Sequence, residues 1–394
     1  MKLFHLMAGG RSQDVASPAR LKKSEIRGGD ALADGKGKGM QRRGLALLAL
    51  VAMLPASRAF AAEAEPARLV TPVVYGTHLP GLGEPAASFA KLLEKRSAGA
   101  VALDLKEPGG RTKPDEILDK VSQGAVDAGF ATASLWAAKL PAAALFSGFP
   151  FGPDGREYFA WFEKGNGRKL YQKMYDHAGL NVHVMPCAFG GAETGGWFAK
   201  EIKGAGDVKG LRMRIFGLGG SVMSRAGATT VLVPGSGLSA AFAANKIDAA
   251  ELYTPAVDEL QPLKDKIKLI YVPGWQQPET VLEFIVNKDR WDSLSEEQQS
   301  LIDDTCRALL KATLKDSAHL QAEALAKMSA KNGIRIKQWP EEVLSSLRSA
   351  WEELAREEGD RDYFFKTVFD DITKFRAATQ PDSAPPPSAA TASP

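Results

Sequence analysis

Cysteine and histidine are scarce in this chain, two of one and five of the other among 394 residues. Two cysteines, Cys187 and Cys306, exclude a disulfide framework and any cysteine-rich zinc module; in an exported chain they could pair, but buried free thiols are the preferred reading. Beyond the first few residues the histidines are His78, His177, His183 and His319, without zinc-ligand spacing. No apolar run reaches the roughly 18–20 residues that span a bilayer. Gly217–Leu218–Gly219 lacks the third glycine of a dinucleotide fingerprint, since Val222 holds that place. Gly235–Ser236–Gly237 lacks nucleophile-elbow spacing, and no P-loop is present. Neither sign of charge dominates: the formal net charge is +3. These absences remove nucleic-acid binding and the common catalytic frameworks. What remains is an ordinary globular composition, 44% apolar and 25% charged, with length for two domains.

The chain's ends differ from its body. Met40–Gln41–Arg42–Arg43, the apolar Gly44–Leu54 and the small-residue Ala59–Phe60–Ala61 have the layout of a secretory signal peptide over residues 40–61. Met40 then reads as the start and residues 1–39 as a doubtful upstream extension. Arg42–Arg43 is a loose twin-arginine match, so both Sec and Tat routes stay open. Past Ala61 the chain holds 39 basic and 43 acidic residues, a mildly acidic body. Residues 380–394, rich in Pro, Ser, Ala and Thr without apolar periodicity, read as a disordered tail.

Between these ends the periodicity alternates between strand and helix. Strands are expected at Val70–Thr77, Val101–Leu105, Val126–Ala128, Val182–Met185, Gly196–Phe198 and 279–287. Helices are expected at Pro85–Arg96, Pro114–Ser122, Gly155–Asp176, Glu341–Glu358 and Tyr363–Arg376. Ser295–Lys331 reads as one long helix, opened by a capping box of Ser295 with Gln298. Ile117–Ala128 and Ser239–Ala249 repeat one order of features: a helix, a polar or glycine stop, then a short apolar–Asp–Ala strand. That echo suggests two lobes of similar α/β design. The aromatics Tyr158, Phe159, Trp161, Phe162, Tyr171 and Tyr175 suit a core.

Residues 207–255 carry the chemistry. Leu211–Arg212–Met213–Arg214–Ile215 alternates as a strand does, and Gly217, Gly219 and Gly220 let a helix begin close to its end. Ile247–Ala250 is a second short strand, closed by Glu251. Ligands of open α/β sheets sit beyond the carboxyl ends of strands, so Arg214 and Glu251 can converge on one cleft. An arginine fork matches a carboxylate in bidentate geometry. Alternation puts Arg212 and Arg214 on the same face, and pattern alone does not choose between them. Glu251 among apolar neighbours needs a partner, either a salt bridge or a hard cation.

This stretch resembles the solute-binding proteins of tripartite ATP-independent periplasmic (TRAP) transporters. The resemblance runs over about residues 68–378. It includes Phe149–Pro150–Phe151–Gly152, Glu193–Thr194–Gly195–Gly196–Trp197–Phe198 and Pro273–Gly274–Trp275–Gln276–Gln277–Pro278. Those blocks are similar to the branch that takes 2-oxo acids, lactate and related small carboxylates. It implies a two-lobed periplasmic-binding-protein-like α/β fold with hinge strands near 186–198 and 276–286, a central cleft and C-terminal helices. Lobe I would comprise 68–190 and 280–320, lobe II 191–279, and helices over 321–378 would pack on both.

The same resemblance gives residues their roles. Arg214 would clamp the solute carboxylate, with Glu193, Glu251, Trp136, Trp275 and Gln276 around the solute and Trp136 closing from lobe I. Glu193, Glu251 and Leu252 would hold a Ca²⁺ or Na⁺ that bridges the solute. Some relatives have glutamine where this chain has Glu193, and many have tryptophan at Leu252. Two glutamates plus a solute carboxylate need more than one positive charge, which favours Ca²⁺. The implied function is capture of a small carboxylate and its delivery to integral membrane permease subunits, with no catalysis, from a periplasmic location. A homodimer is compatible with it. The alternatives are an exported metal-dependent α/β hydrolase or lyase, or a solute receptor for a membrane sensor.

Overall fold

The structure, a computed structural model, describes residues 66–379. The expected extension, signal peptide and tail lie outside them. In the first lobe, β1 (Ala67–Pro72) runs parallel to β2 (Val101–Lys106), from Ala67 opposite Val101 to Pro72 opposite Lys106. They are joined by α1 (Glu84–Arg96), which buries Ala86, Phe89 and Leu93 at helical spacing. Next come α2 (Ile117–Ser122), β3 (Ala128–Ala131), α3 (Gly155–Lys164), α4 (Gly167–His177) and β4 (Val182–Phe189). The expected helix over 155–176 is thus two helices. Asp154 and Glu157 cap the first in a reciprocal box. The break falls at Gly165, where a Cβ would stand 2.8 Å from Trp161 Cδ1.

The second lobe holds β5 (Gly196–Phe198), β6 (Arg212–Arg214), α5 (Gly217–Arg225), β7 (Thr229–Thr230), α6 (Leu238–Ala243), β8 (Ala249–Ala250), α7 (Pro255–Asp258) and β9 (Leu269–Val272). The chain then returns to the first lobe through β10 (Val281–Asn287), buried at all seven positions between antiparallel β3 and β4. After α8 (Lys288–Asp292) comes α9 (Glu296–Asn332), opened as expected by Ser295 and Gln298. Between the expected helices, in a stretch for which no element was expected, lies a strand, β11 (Arg335–Gln338), parallel to β9. The second sheet is therefore ordered β11-β9-β5-β8-β6-β7. The chain ends its described course in α10 (Glu341–Arg361) and α11 (Tyr363–Thr379). No helix among the described residues is long and apolar enough to cross a membrane.

The echo has a conformational basis. Gly124 between α2 and β3, and Asn245 between α6 and β8, both take left-handed backbone conformations, with φ of 71° and 50°. Each turns a helix directly into a strand.

Two crossing segments and α9 join the lobes. The crossing segments are laced together: Gly190 N–H donates to Thr280 O at 2.7 Å, Glu193 N–H to Gln277 O at 3.1 Å, and Gly195 N–H to Tyr271 O at 2.8 Å. Gln321 of α9 fastens both lobes, donating from Nε2 to Gly190 O and accepting at Oε1 from Ala256 N–H, each at 2.8 Å. The expectation of free thiols is corrected here. Cys187 on β4 and Cys306 on α9 form a disulfide, with Cα atoms 4.4 Å apart. Both face one apolar cluster between strand and helix, a proximity that their distance in sequence hides.

Candidate functional site

The site is built on the carboxyl ends of β6 and β8 and on the segments crossing between lobes. Met213 pairs with Ala249 and Arg214 with Ala250, so Glu251 follows the strand beside Arg214. The two arginines have different fates. Arg212, with a side chain 40% exposed, is held by Asp248: Nη2 donates to Oδ1 at 2.6 Å and Nε to Oδ2 at 2.8 Å. Arg214 is buried, its side chain 9% exposed. Its Nη1 donates to Glu251 Oε2 at 3.1 Å and to the Glu251 carbonyl, and Nε donates to Val233 O at 3.4 Å. Its guanidinium lies 4.0 Å from the Phe216 ring centroid, a cation–π contact on its other face.

Glu193 comes to the same place from the first crossing segment. Gln276 Nε2 donates to Glu193 Oε2 at 3.4 Å and to Thr194 O at 2.6 Å. The approach depends on Gly274, where a Cβ would lie 2.3 Å from Glu193 O. The Glu193 carboxyl lies close enough to the Glu251 carboxyl to feel its charge. Burial, then the neighbouring Glu251 carboxyl, raise the Glu193 carboxyl well above the usual range. Burial raises Glu251 as well, against the pull of Arg214. Asp258 lies behind them, pushed up to about 8 by burial against the stabilising bonds it accepts.

The group thus contains Arg214, Glu193, Glu251 and Gln276. Trp275 borders it through the chain: its ring stacks on Phe151 at 5.6 Å, and its Nε1 is buried without a partner among the described residues. Gln276 Oε1 is likewise buried and unpartnered. Leu252 packs its side chain into the second lobe's apolar cluster, so only its main chain is suited to a cation. Trp136 is placed elsewhere. It is buried in the first lobe and donates from Nε1 to Glu283 Oε1 at 2.9 Å, beside Tyr171 and Tyr175, whose hydroxyls also bind that carboxylate. A carboxylate inside a core requires such donors, and that need takes the indole away from a solute-facing role.

Tyr75 and Tyr253 were not anticipated. They meet edge to face, ring centroids 6.5 Å apart, one from the first lobe and one from the second. Burial, and then the Glu193 charge, raise the Tyr75 hydroxyl, with Glu251 a lesser contributor. Tyr75 follows β1 at its carboxyl end, a position from which a ligand contact was inferable.

Two carboxyls, an unpartnered amide oxygen and a neighbouring carbonyl make a set of hard oxygen donors, which fits Ca²⁺ or Na⁺. Among the described residues no three His, Cys, Asp or Glu side chains gather in metal-binding range. A cation here would draw its remaining oxygens from amides, carbonyls and the solute.

The model of DctP, bacterial extracellular solute-binding protein family 7, matches residues 80–362. The chain belongs to that family. It is 34% identical over 261 residues, 66% of this chain and 71% of the relative, to a monocarboxylate 2-oxoacid-binding periplasmic protein of Nostoc sp.. A TRAP periplasmic solute-binding protein from Pseudoalteromonas atlantica, with bound sodium and pyruvate, superimposes with a TM-score of 0.73 at 27% identity, covering 80% of this chain and 97% of that one. One from Colwellia psychrerythraea, with bound calcium and pyruvate, gives 0.73 at 27%, covering 81% and 98%. The two-lobed solute-receptor fold is therefore the architecture of this chain, and the family is one of receptors rather than enzymes. The hydrolase or lyase alternative gains no support from these relatives.

Proposed function

We propose that this protein is the extracytoplasmic receptor of a TRAP transporter, binding a small monocarboxylate of the 2-oxo or hydroxy acid class and passing it to membrane permease subunits. One observation carries the reading: a buried arginine fork paired with Glu251, with the Glu193 carboxyl held close by through Gln276, at the junction of two lobes. Arg214 would release Glu251 in part and take the solute carboxylate in bidentate geometry. Glu193, Glu251 and the Leu252 carbonyl would hold Ca²⁺ or Na⁺. When bound, that ion supplies the positive charge that lets three carboxylates share one small site. Tyr75 and Tyr253 would close on the solute from opposite lobes, with Trp275 and Gln276 as wall. No bond is made or broken; closure follows from tighter binding to the closed form. Residues 40–61 would direct export, with cleavage after Ala61.

A thermal-shift panel of 2-oxo acids, hydroxy acids, aromatic acids and polyols, with and without Ca²⁺, tests this. Stabilisation by a small 2-oxo or hydroxy acid is expected. Stabilisation by polyols alone would overturn it.

A further inference from the structure

Asp258 ends α7 and is fully buried, yet all its bonding partners are neutral donors. Thr194 Oγ1 donates to Oδ2 at 3.2 Å, Trp197 Nε1 to Oδ2 at 3.0 Å, and Tyr253 N–H to Oδ1 at 3.2 Å. The identity of these donors matters. Thr194 is the residue after Glu193. Tyr253 follows Leu252 and stands two places after Glu251. Trp197 belongs to β5 and fixes the arrangement to the second sheet.

One carboxyl therefore holds together the two segments that bring the glutamates face to face. Without that tie, the crossing segment bearing Glu193 has less to hold it beside β8, and two acids that repel when ionised would separate. A buried carboxyl without a cationic partner is costly to keep. Such a group is expected where it secures a geometry that apolar packing does not.

We infer that Asp258 is a positioning residue for the bound cation: it clamps the Glu193 and Glu251 segments so that both carboxylates reach one ion. This rests on the function proposed above. Asp258 does not touch the solute and plays no part in the capture of its carboxylate by Arg214. The inference thus separates two quantities, intrinsic anion capture and the gain in solute affinity that the cation brings.

Asp258→Asn keeps the shape but presents an amide group to one of three donors. In calorimetry with pyruvate, titrated in chelator and again in Ca²⁺, the gain in affinity due to Ca²⁺ should fall about tenfold, the scale of one buried donor left without its partner. The affinity measured in chelator should hardly move. Equal losses in both buffers, or no loss in either, would overturn the positioning role. Thr194→Val removes one tie, leaves Asp258 in place and supplies the test if the asparagine variant does not fold. It should lower the Ca²⁺-dependent gain by a smaller factor, and an unchanged gain would overturn the inference. If the unaltered protein shows pyruvate binding without any Ca²⁺ or Na⁺ effect, the cation reading fails, and this inference with it. If only the variants behave like the unaltered protein, the function stands and the inference alone falls.

Discussion

Cys187 on β4 and Cys306 on α9 are joined by a disulfide that closes a loop of 119 positions, tying the helix that runs along both lobes to a strand of the first. The bond constrains the unfolded chain. In the chain-entropy model a loop of this size contributes about 4–5 kcal/mol, as an upper figure. Cys187→Ser with Cys306→Ser should lower stability by about 2–4 kcal/mol in denaturant titration. Solute affinity should stay close to that of the unaltered protein, because the pair lies in the first lobe's apolar cluster and not among the site residues. A stability change below about 1 kcal/mol would count against the bond's contribution.

Arg214 and Arg212 give a paired test. Arg214 is buried among Glu251, Val233 O and the Phe216 ring, so Arg214→Lys loses the planar fork at a buried position. Solute binding should weaken by about 1.5–3 kcal/mol. Arg212→Lys should change binding little, since that side chain is partly exposed and engaged with Asp248. Calorimetry giving equal losses for the two would remove Arg214 as the clamp.

How much of this could be read in the sequence depends on whether the deciding interaction is local. The capping box of Ser295 and Gln298 lies within four residues, and the helix began where it was expected. The bounds of α1 and β2 were likewise legible from short-range periodicity. β11 was not, because Arg335–Gln338 is half-exposed and becomes a strand only by lying along β9, more than sixty residues earlier. The disulfide was hidden for the same reason. At the site, strand-end position pointed to Arg214 and Glu251, and family resemblance to Glu193 and Gln276. Trp136 was placed wrongly because nothing local reveals that Glu283, on a distant strand, takes its N–H. Asp258 gave no signal at all, since its meaning lies in which loops its three donors belong to.

Glu279 supplies a pH dependence of stability. It is buried at the start of the return crossing and accepts from Gly191 N–H at 2.6 Å and Thr280 N–H at 2.9 Å. Burial pushes its carboxyl up from 4.5 to about 8, opposed by those bonds and aided by Asp154. The folded state therefore binds this proton more tightly than the unfolded state. Its contribution is full below about pH 4.5 and is lost as pH rises toward about 8. Glu279→Gln should flatten the fall in stability across that window, by a few kcal/mol at most. Denaturant midpoints measured at intervals from pH 5 to 8 check this, and parallel curves for the two proteins would refute it.

The last prediction concerns the ion. The Glu193 and Glu251 carboxyls lie close together, and Arg214 donates to Glu251 beside them. With both ionised and a solute carboxylate added, the negative charge is three and Arg214 returns one, so a divalent ion neutralises the group and a monovalent ion leaves it short. Ca²⁺ also accepts the irregular oxygen geometry that amide, carbonyl and solute donors impose. Glu193→Gln removes one negative charge, keeps an oxygen ligand, and should move the preference from Ca²⁺ toward Na⁺ by about tenfold or more. Solute affinity of the unaltered protein should fall with chelator and recover on adding Ca²⁺. Both results are read in calorimetry with pyruvate in chelated, sodium-free buffer, then with each ion restored. Affinity that stays constant through all three buffers would leave Glu251 as a salt-bridge partner of Arg214 and Glu193 as a hydrogen-bonding partner of Gln276, with no ion between protein and solute.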